Sequence, residues 1–412
     1  MSSQLHKRFT DDQVKIIFDL YDKRSITLKR ALEQLGCGRS RFYELLKEYR
    51  KSPEEFTVAY LRNYAQHRLP KEADKVIRTE LEIDKKLIED RNTPIWNYNY
   101  SAIRDEAVKQ LGYSISSQTV RNRAKEWGYY LPKVRKEKSM PREVVTEAPG
   151  ILLQHDSSHH KWTPYVDAKW TLITTIDDYS RYLLYAKFVE VETTWDHIQA
   201  AESVISRYGV GLSYYVDSHS IFRFVCHRDS FCHKQVKGTD DVLTQWKRVV
   251  EKCGMQVWYA LSPEAKGKVE RPYRWLQDRI VRKCARESVE YPSEAQEILE
   301  EELYRYNEKQ VHSTTGEIPG IRLRKAIKTG KSCFKPLTLT SEYKSTKDIF
   351  CLHEFRKTDG YNRISWDNNK IDVPISLPRG TKVELHIIPY KERTEVRLWH
   401  NREVMKVIHF KN

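Results

Sequence analysis

Three carboxylates, far apart in the chain, stand where metal chemistry could be done. Asp156 ends the apolar run ILLQH, Asp217 ends LSYYV, and Glu270 follows the loop SPEAKGK and opens a helix. Polar groups at the ends of buried strands project into the crevice where α/β sheets bind ligands. Carboxylate oxygens are hard ligands suited to Mg²⁺ or Mn²⁺. Two such ions about 3.5–4 Å apart clamp the attacking and leaving oxygens of a phosphodiester exchange. One acid cannot hold two ions, so several must converge from distant parts of the chain. Taken singly, an Asp after a strand also serves as a cap or turn residue.

The surroundings of Glu270 add to the case. Lys266, Lys268, Arg271, Arg274, Arg279, Arg282, Lys283 and Arg286 crowd this stretch, against the acids Glu270 and Asp278. Lys266, Glu270 and Arg274 follow at i, i+4 and i+8, one face of a helix. A metal-binding acid flanked by cations suits a site that handles DNA phosphates, so Lys266, Lys268, Arg271 and Arg274 are candidate DNA contacts. The alternative is an exposed helix laced with ion pairs.

Other clusters compete. Cys226-His227 and Cys232-His233 offer four zinc-type ligands, or a plain loop with reduced thiols. His155, His159 and His160 surround Asp156 and serve metal, phosphate or packing equally well. A regular strand turns His155 away from Asp156. Asp177 and Asp178 fall where a hairpin turn is expected.

Elements to position these groups are legible. ILLQHD, WTLITTID and RYLLYAKFVEV read as strands, followed by a helix from Thr194 to Tyr208 and the strand LSYYVD. A helix over Asp240–Cys253, the strand MQVWYA and a helix over 268–286 complete an α/β domain. Before it the pattern is helical. Thr10 to Gln13 is a capping-box signature, and helices near Thr27–Leu35 and from Ser40 give helix-turn-helix grammar. Ser101–Leu111 and a helix capped by Ser116 or Ser117 repeat it. Arg39, Arg41, Arg121 and Arg123 on the last helices are DNA-contact candidates, more readily to phosphate than to bases. Residues 132–149 read as a proline-bearing linker. From about Ser345, ISW, IDVPI, KVELHII, EVRLWH and VMKVIHF suggest a small β-barrel.

Composition bounds the partners. The 412 residues carry a formal charge of +15, which favours a polyanion. No secretory h-region opens the sequence, and no run reaches the roughly 18 apolar residues of a membrane span. Seven cysteines show no disulfide framework. The expectation is a cytoplasmic, nucleoid-associated protein with no membrane partner.

With these motifs in view, the chain resembles the DDE transposases of insertion sequences, in the retroviral-integrase superfamily. IDDYSRYLLYAKF is similar to the strands after the first Asp and YVDSHSIFRF to the block around the second. SPEAKGKVERPYRWLQDRIVR is similar to the family's loop, Glu and basic helix. YNEKQVHSTTGEIP, with Tyr306, Asn307, His312, Ser313 and Pro319, resembles the motif after the core. The nearest likeness is to ISNCY-type elements. The stretch between Asp217 and Glu270 is longer than is common, with the surplus in FRFVCHRDSFCHKQVKGTDD.

The resemblance implies a multidomain chain. Residues 1–65 and 72–131 would be helix-turn-helix domains and 132–149 a linker. Residues 150–300 would form an RNase H-like catalytic core, 301–344 a helical connector and 345–412 the β-barrel. It also implies two Mg²⁺ (or Mn²⁺) ions on Asp156, Asp217 and Glu270, with element ends (terminal inverted repeats) and target DNA as partners. A homo-oligomer on DNA and strand cleavage followed by strand transfer complete the expectation. The alternative is a catalytically silent DNA-binding regulator derived from a transposase.

Overall fold

The computed structural model describes residues 5, 8–59, 69–132, 146–217, 221–222, 244–260 and 267–411, without the side chains of 267–271. These fall into two compact units, Met1–Lys71 and Glu72–Asn412.

The first unit is three helices, α1 (Asp11–Asp22), α2 (Leu28–Leu35) and α3 (Arg39–Lys51). Thr10 and Gln13 form the capping box that their spacing predicts. Gly36 stops α2 at φ 58°, a left-handed turn that a side chain would strain. Val14, Phe18, Leu35, Phe42, Leu45 and Leu46 meet in one small core.

The second unit begins with α4 (Lys71–Glu89), α5 (Tyr100–Leu111) and α6 (Ser117–Glu126). Gly112 ends α5, and the Ser116 side chain caps α6 by accepting from the Thr119 amide. A five-stranded sheet follows: β1 (Leu152–His160), β2 (Trp170–Asp177), β3 (Leu183–Val189), β4 (Ser213–Val216) and β5 (Gln256–Tyr259). The spatial order is β3-β2-β1-β4-β5. β2 lies antiparallel to both β1 and β3, while β1, β4 and β5 run parallel. Helices α7 (Thr194–Tyr208), α8 (Gln245–Lys252), α9 (Gly267–Arg286), α10 (Pro292–Glu308) and α11 (Pro319–Lys328) complete this α/β portion.

β1 is longer than its apolar run. It passes through Asp156 to His160, so Asp156 lies in mid-strand rather than at a strand end. Residues 157–160 are polar, yet their backbones stay paired with Leu172, Ile173, Thr171 and Trp170 of β2. Pairing in a hairpin extends a strand past the point where hydrophobic alternation stops. The helix expected from Asp240 runs from Gln245, and residues 240–243 lie outside the described residues.

The C-terminal part departs from expectation too. Strands β6 (Leu352–Lys357), β9 (Lys382–Pro389), β10 (Arg393–His400) and β11 (Glu403–Lys411) form a four-stranded antiparallel sheet in the order β11-β10-β9-β6. β7 (Arg363–Trp366) and β8 (Asn369–Asp372) pair only with each other. Among the described residues the strands do not close into a barrel. Val383, Leu385, Ile387, Val396 and Leu398 still pack with Ile364 and Ile371 of the hairpin, so sheet and hairpin share one core.

Much of the basic helix α9 turns inward. Arg279 bonds Asp105 on α5 and Glu302 on α10, at 2.7 and 3.4 Å. Arg282 bonds Asp84 on α4, Asp278 and the Asn97 carbonyl. Arg286 reaches Glu80 at 2.7 Å. These cations fasten α4 and α5 to the α/β portion. Burial pushes the Asp84 carboxyl up despite the guanidinium beside it, and the two acids near Arg282 raise its own affinity for its proton. Breaking such a pair leaves one charge buried alone. Arg282→Met should therefore cost about 3–5 kcal/mol in urea unfolding followed by circular dichroism. A loss below about 1 kcal/mol would contradict this role.

No helix among the described residues is long and apolar enough to cross a membrane.

Candidate active site

The pairing of β1 with β4 sets the site. Leu152, Leu153 and Gln154 stand beside Ser213, Tyr214 and Tyr215 in parallel register. Continued by two residues, that register brings Asp156 level with Asp217, with neighbouring strands about 4.8 Å apart. Both acids are half-buried. Parallel neighbours at one level share a face, so this register sets the two acids on the same side of the sheet.

Tyr273 on α9 marks the same place. Its hydroxyl accepts from Thr174 Oγ1 at 2.8 Å, and Thr174 is the cross-strand partner of Asp156. Burial pushes this phenol well above its usual range, and the charges of Asp156, Glu192 and Asp217 push it the same way. Four residues on, Gln277 Nε2 donates to Ser158 Oγ at 2.9 Å. Two contacts, one on β2 and one on β1, thus lay α9 against the sheet on the Asp156 side.

Glu270 lies in the first part of α9, one turn before Tyr273. Its side chain, with those of Lys268 and Arg271, lies outside the described residues, as does all of Lys266. Cys226, His227, Cys232 and His233 also lie outside them.

The structure adds an acid that the sequence reading passed over. Glu192 sits in the connection from β3 to α7 and acts on Tyr273 together with Asp156 and Asp217. Its Oε1 lies 2.7 Å from His197 Nε2. His197 Nδ1 is 2.8 Å from His155 Nε2, and His155 Nδ1 is 2.8 Å from Thr175 Oγ1. A carboxylate only accepts, so with neutral rings each proton in this chain has one direction. His197 donates to Glu192, His155 to His197, and Thr175 to His155. His155 and His197 are fully buried. His155 stacks on Trp246 with centroids 5.7 Å apart and meets Tyr214 and Phe222 edge-on. It belongs to the core beneath the sheet. The sequence signal for Glu192 was slight, since VEVETT reads as a strand end running into a helix cap.

The other candidates resolve individually. Asp177 accepts from the Ser180 amide and hydroxyl at 2.8 and 2.5 Å, and from the Gly150 amide at 2.9 Å. Asp178 bonds Arg181 and Gln154. Both are buried turn formers. His159 meets Thr171 Oγ1 at 3.1 Å, and Trp162 is buried with its Nε1–H on the Trp170 carbonyl. Asn307 bonds both the amide and the carbonyl of Leu183, so this part of the post-core motif clamps β3.

Basic and aromatic groups meet elsewhere. A cavity of about 570 Å³ is lined by Arg121, Arg274, His160, Trp96, Trp275 and Gln277, among others. Arg121, Arg274 and Trp96 are exposed. Arg123 instead bonds Asp74 through two nitrogens, at 2.8 and 3.2 Å, and Glu126 at 2.9 Å. In the first unit Arg39 lies over the Tyr43 ring, and exposed Arg41 pairs with Glu44 at 3.1 Å.

The chain is 26% identical over 260 residues to a putative transposase, y4bF, of Sinorhizobium fredii, an alignment covering 63% of this chain and 52% of that protein. It is 27% identical over 184 residues to the transposase for insertion sequence IS1202 of Streptococcus pneumoniae, covering 43% of this chain and 38% of that protein. The chain thus spans about half or less of the curated relatives it matches. No family model matches it. Among solved structures it is similar to a chain of the simian T-cell lymphotropic virus intasome in complex with PP2A regulatory subunit B56 gamma. That match has 10% identity and a TM-score of 0.32, covering 75% of this chain and 92% of that one. It is also similar to the HTLV-2 integrase catalytic core domain in complex with magnesium. There the identity is 20% and the TM-score 0.28, covering 42% of this chain and 95% of that one. The resemblance to insertion-sequence transposases, read from the motifs, therefore stands on the two transposase relatives.

The directed histidine chain makes a prediction. In Glu192→Gln the amide oxygen still accepts from His197, so stability should change by less than about 1 kcal/mol. Glu192→Ala leaves a buried N–H without its partner and should cost about 1–3 kcal/mol in urea unfolding. Equal costs for the two variants would remove Glu192 from the chain.

Proposed function

We propose that this chain is a DNA transposase that binds element ends and catalyses metal-dependent strand cleavage and strand transfer. The observation that carries the reading is the register that brings Asp156 level with Asp217 beside Tyr273 of α9. An RNase H-like core is consistent with the mixed five-stranded sheet. Asp156, Asp217 and Glu270 are the proposed ligands of two Mg²⁺ (or Mn²⁺) ions. The donors fit: carboxylate oxygens are hard ligands, and Asp156 and Asp217 are only half-buried, so water and substrate still reach them. When bound, such ions supply an activated water or 3′-hydroxyl and stabilise the leaving 3′-oxygen.

The protein's part is placement. Backbone pairing within β1 fixes Asp156, and Asp217 directly follows the paired strand β4. Tyr273 and Gln277 hold α9, and with it the backbone of Glu270, against β1. Ser158 is engaged by Gln277, in keeping with chemistry that needs no covalent protein–DNA intermediate.

For DNA, the reading assigns phosphate contacts to Lys266, Lys268, Arg271 and Arg274 on the core side. Arg39, Arg41, Arg121 and Arg123 come from the N-terminal helices, read as two helix-turn-helix domains. Arg121 and Arg274 are the favoured pair, because both line the cleft that also holds Trp96. Arg123, held by Asp74, contributes chiefly by fixing α6. A homo-oligomer follows from the need to pair two element ends. The setting would be the bacterial nucleoid.

A catalytically silent regulator is the alternative, and a labelled-end assay separates the two. In Mg²⁺ the chain should cut at the element end and join the 3′-end to plasmid DNA. Asp156→Asn, Asp217→Asn and Glu270→Gln should each abolish both steps, a loss of at least about a thousandfold, while end-binding persists. Full activity in any one variant would remove that acid from the site. End-binding without cutting by the unaltered chain would favour the regulator.

Binding gives a separate check. Arg121→Ala and Arg274→Ala should weaken binding across all sequences and lower the salt slope of log K by about 1 each. An unchanged slope would place the DNA elsewhere.

A further inference from the structure

A second constellation of ligand atoms lies far from the proposed acids, where the C-terminal sheet meets α8. Cys351 directly precedes β6, His353 lies on β6, and Glu384 and His386 lie on β9. His353 and His386 are direct cross-strand partners. Positions 351 and 353, like 384 and 386, are two apart, so all four residues share one face of the sheet. The other face carries the apolar core with Val383, Leu385 and Ile387. Cys351, His353 and His386 are all buried, and one ligand atom from each lies within 4.8 Å of the others.

The hydrogen bonds orient both rings. Glu384 Oε1 lies 2.7 Å from His353 Nδ1 and 3.3 Å from His386 Nε2. A carboxylate accepts, so both nitrogens carry protons. The lone pairs then sit on His353 Nε2 and His386 Nδ1. A carboxylate behind each imidazole is the arrangement by which proteins orient metal-ligating histidines. His353 Nε2 lies 3.4 Å from Cys351 Sγ. Tetrahedral zinc, with bonds near 2.3 Å to sulfur and 2.0–2.1 Å to nitrogen, sets such a pair about 3.5 Å apart. His386 Nδ1 is buried with no hydrogen-bond partner among the described residues. It lies 4.0 Å from Asp348 Oδ1, which Arg397 already pairs at 2.7 Å.

We propose that Cys351, His353 and His386 form a zinc-type metal site that ties β6 to β9 on the face of the C-terminal sheet next to α8. A thiolate with two imidazoles is a donor set that selects zinc over magnesium. The thiol proton is released when the metal binds. Lys252 of α8 holds Nζ 3.2 Å from His353 Nε2, and thus occupies the metal-facing lone pair until a metal displaces it. Gln245, also on α8, bonds both the amide and the carbonyl of His353, at 2.9 and 2.6 Å. The site therefore lies at a seam between sheet and helix that backbone hydrogen bonds already fix. This inference does not depend on the transposase reading.

The test is cobalt titration of the full chain after chelator treatment, followed by absorption. One Co²⁺ per chain should give a thiolate-to-cobalt charge-transfer band and tetrahedral visible bands, both bleached by Zn²⁺. Cys351→Ser should lose the charge-transfer band, whereas the Cys226→Ser/Cys232→Ser double variant should keep it. Lys252→Met, which removes the competing cation and no ligand, should bind Co²⁺ at least about tenfold more tightly. It decides the matter even if Cys351→Ser does not fold. No cobalt bands, bands that persist in Cys351→Ser or vanish in the double variant, or unchanged affinity in Lys252→Met would each overturn the site.

Discussion

One register governs the central site. β1 pairs parallel with β4 and antiparallel with β2, so its position is fixed from both sides. Side chains alternate along a strand, and a slip of one residue would exchange its two faces. Asp156 would then enter the aromatic core, and His155 would replace it beside Asp217. The core guards against that slip chemically. His155 has a hydrogen-bond partner at each ring nitrogen and a stacked indole, whereas an aspartate there would bury a carboxylate among aromatic rings and lose the stacking. The buried histidine thus specifies the strand, and the strand places the acid.

α9 serves two masters on opposite sides. Tyr273 and Gln277 fasten it to the strands that hold the proposed site, while Arg279, Arg282 and Arg286 fasten α4 and α5 to it. The helix is therefore a rigid link between a region proposed to bind DNA and a region proposed to cut it. Buried ion pairs add little stability over apolar packing, but they resist any rearrangement that would strand a charge. That suits a link that must keep two surfaces in fixed relation.

Much of this was legible in the sequence. The capping box at Thr10, the glycine stops at Gly36 and Gly112, and the turn at Asp177 follow from local chemistry that a single sequence displays. Asp156 and Asp217 stood out because each ends an apolar run, although β1 continues past Asp156. What was hidden depended on partners distant in the chain. Nothing local to Arg279 or Arg282 shows that Asp105 and Asp84 await them, so the basic helix read as a DNA surface or an exposed ion-paired helix, not as a buried clamp. Glu192 is recognisable only once α7 folds back against β1. β6 was passed over because LHEFRK alternates poorly, and its charged residues find their role only against β9 and α8. The missing barrel has the same cause: strand count is local, whereas closure depends on which edges pair.

Diffraction from crystals of the full chain soaked in Mn²⁺, recorded for the anomalous signal, tests the central claim most directly. The account predicts manganese peaks bonded to Asp156 and Asp217, with Glu270 completing the site and two peaks about 3.5–4 Å apart once DNA is bound. Manganese bound elsewhere, with Asp156 and Asp217 turned to other partners, would contradict it.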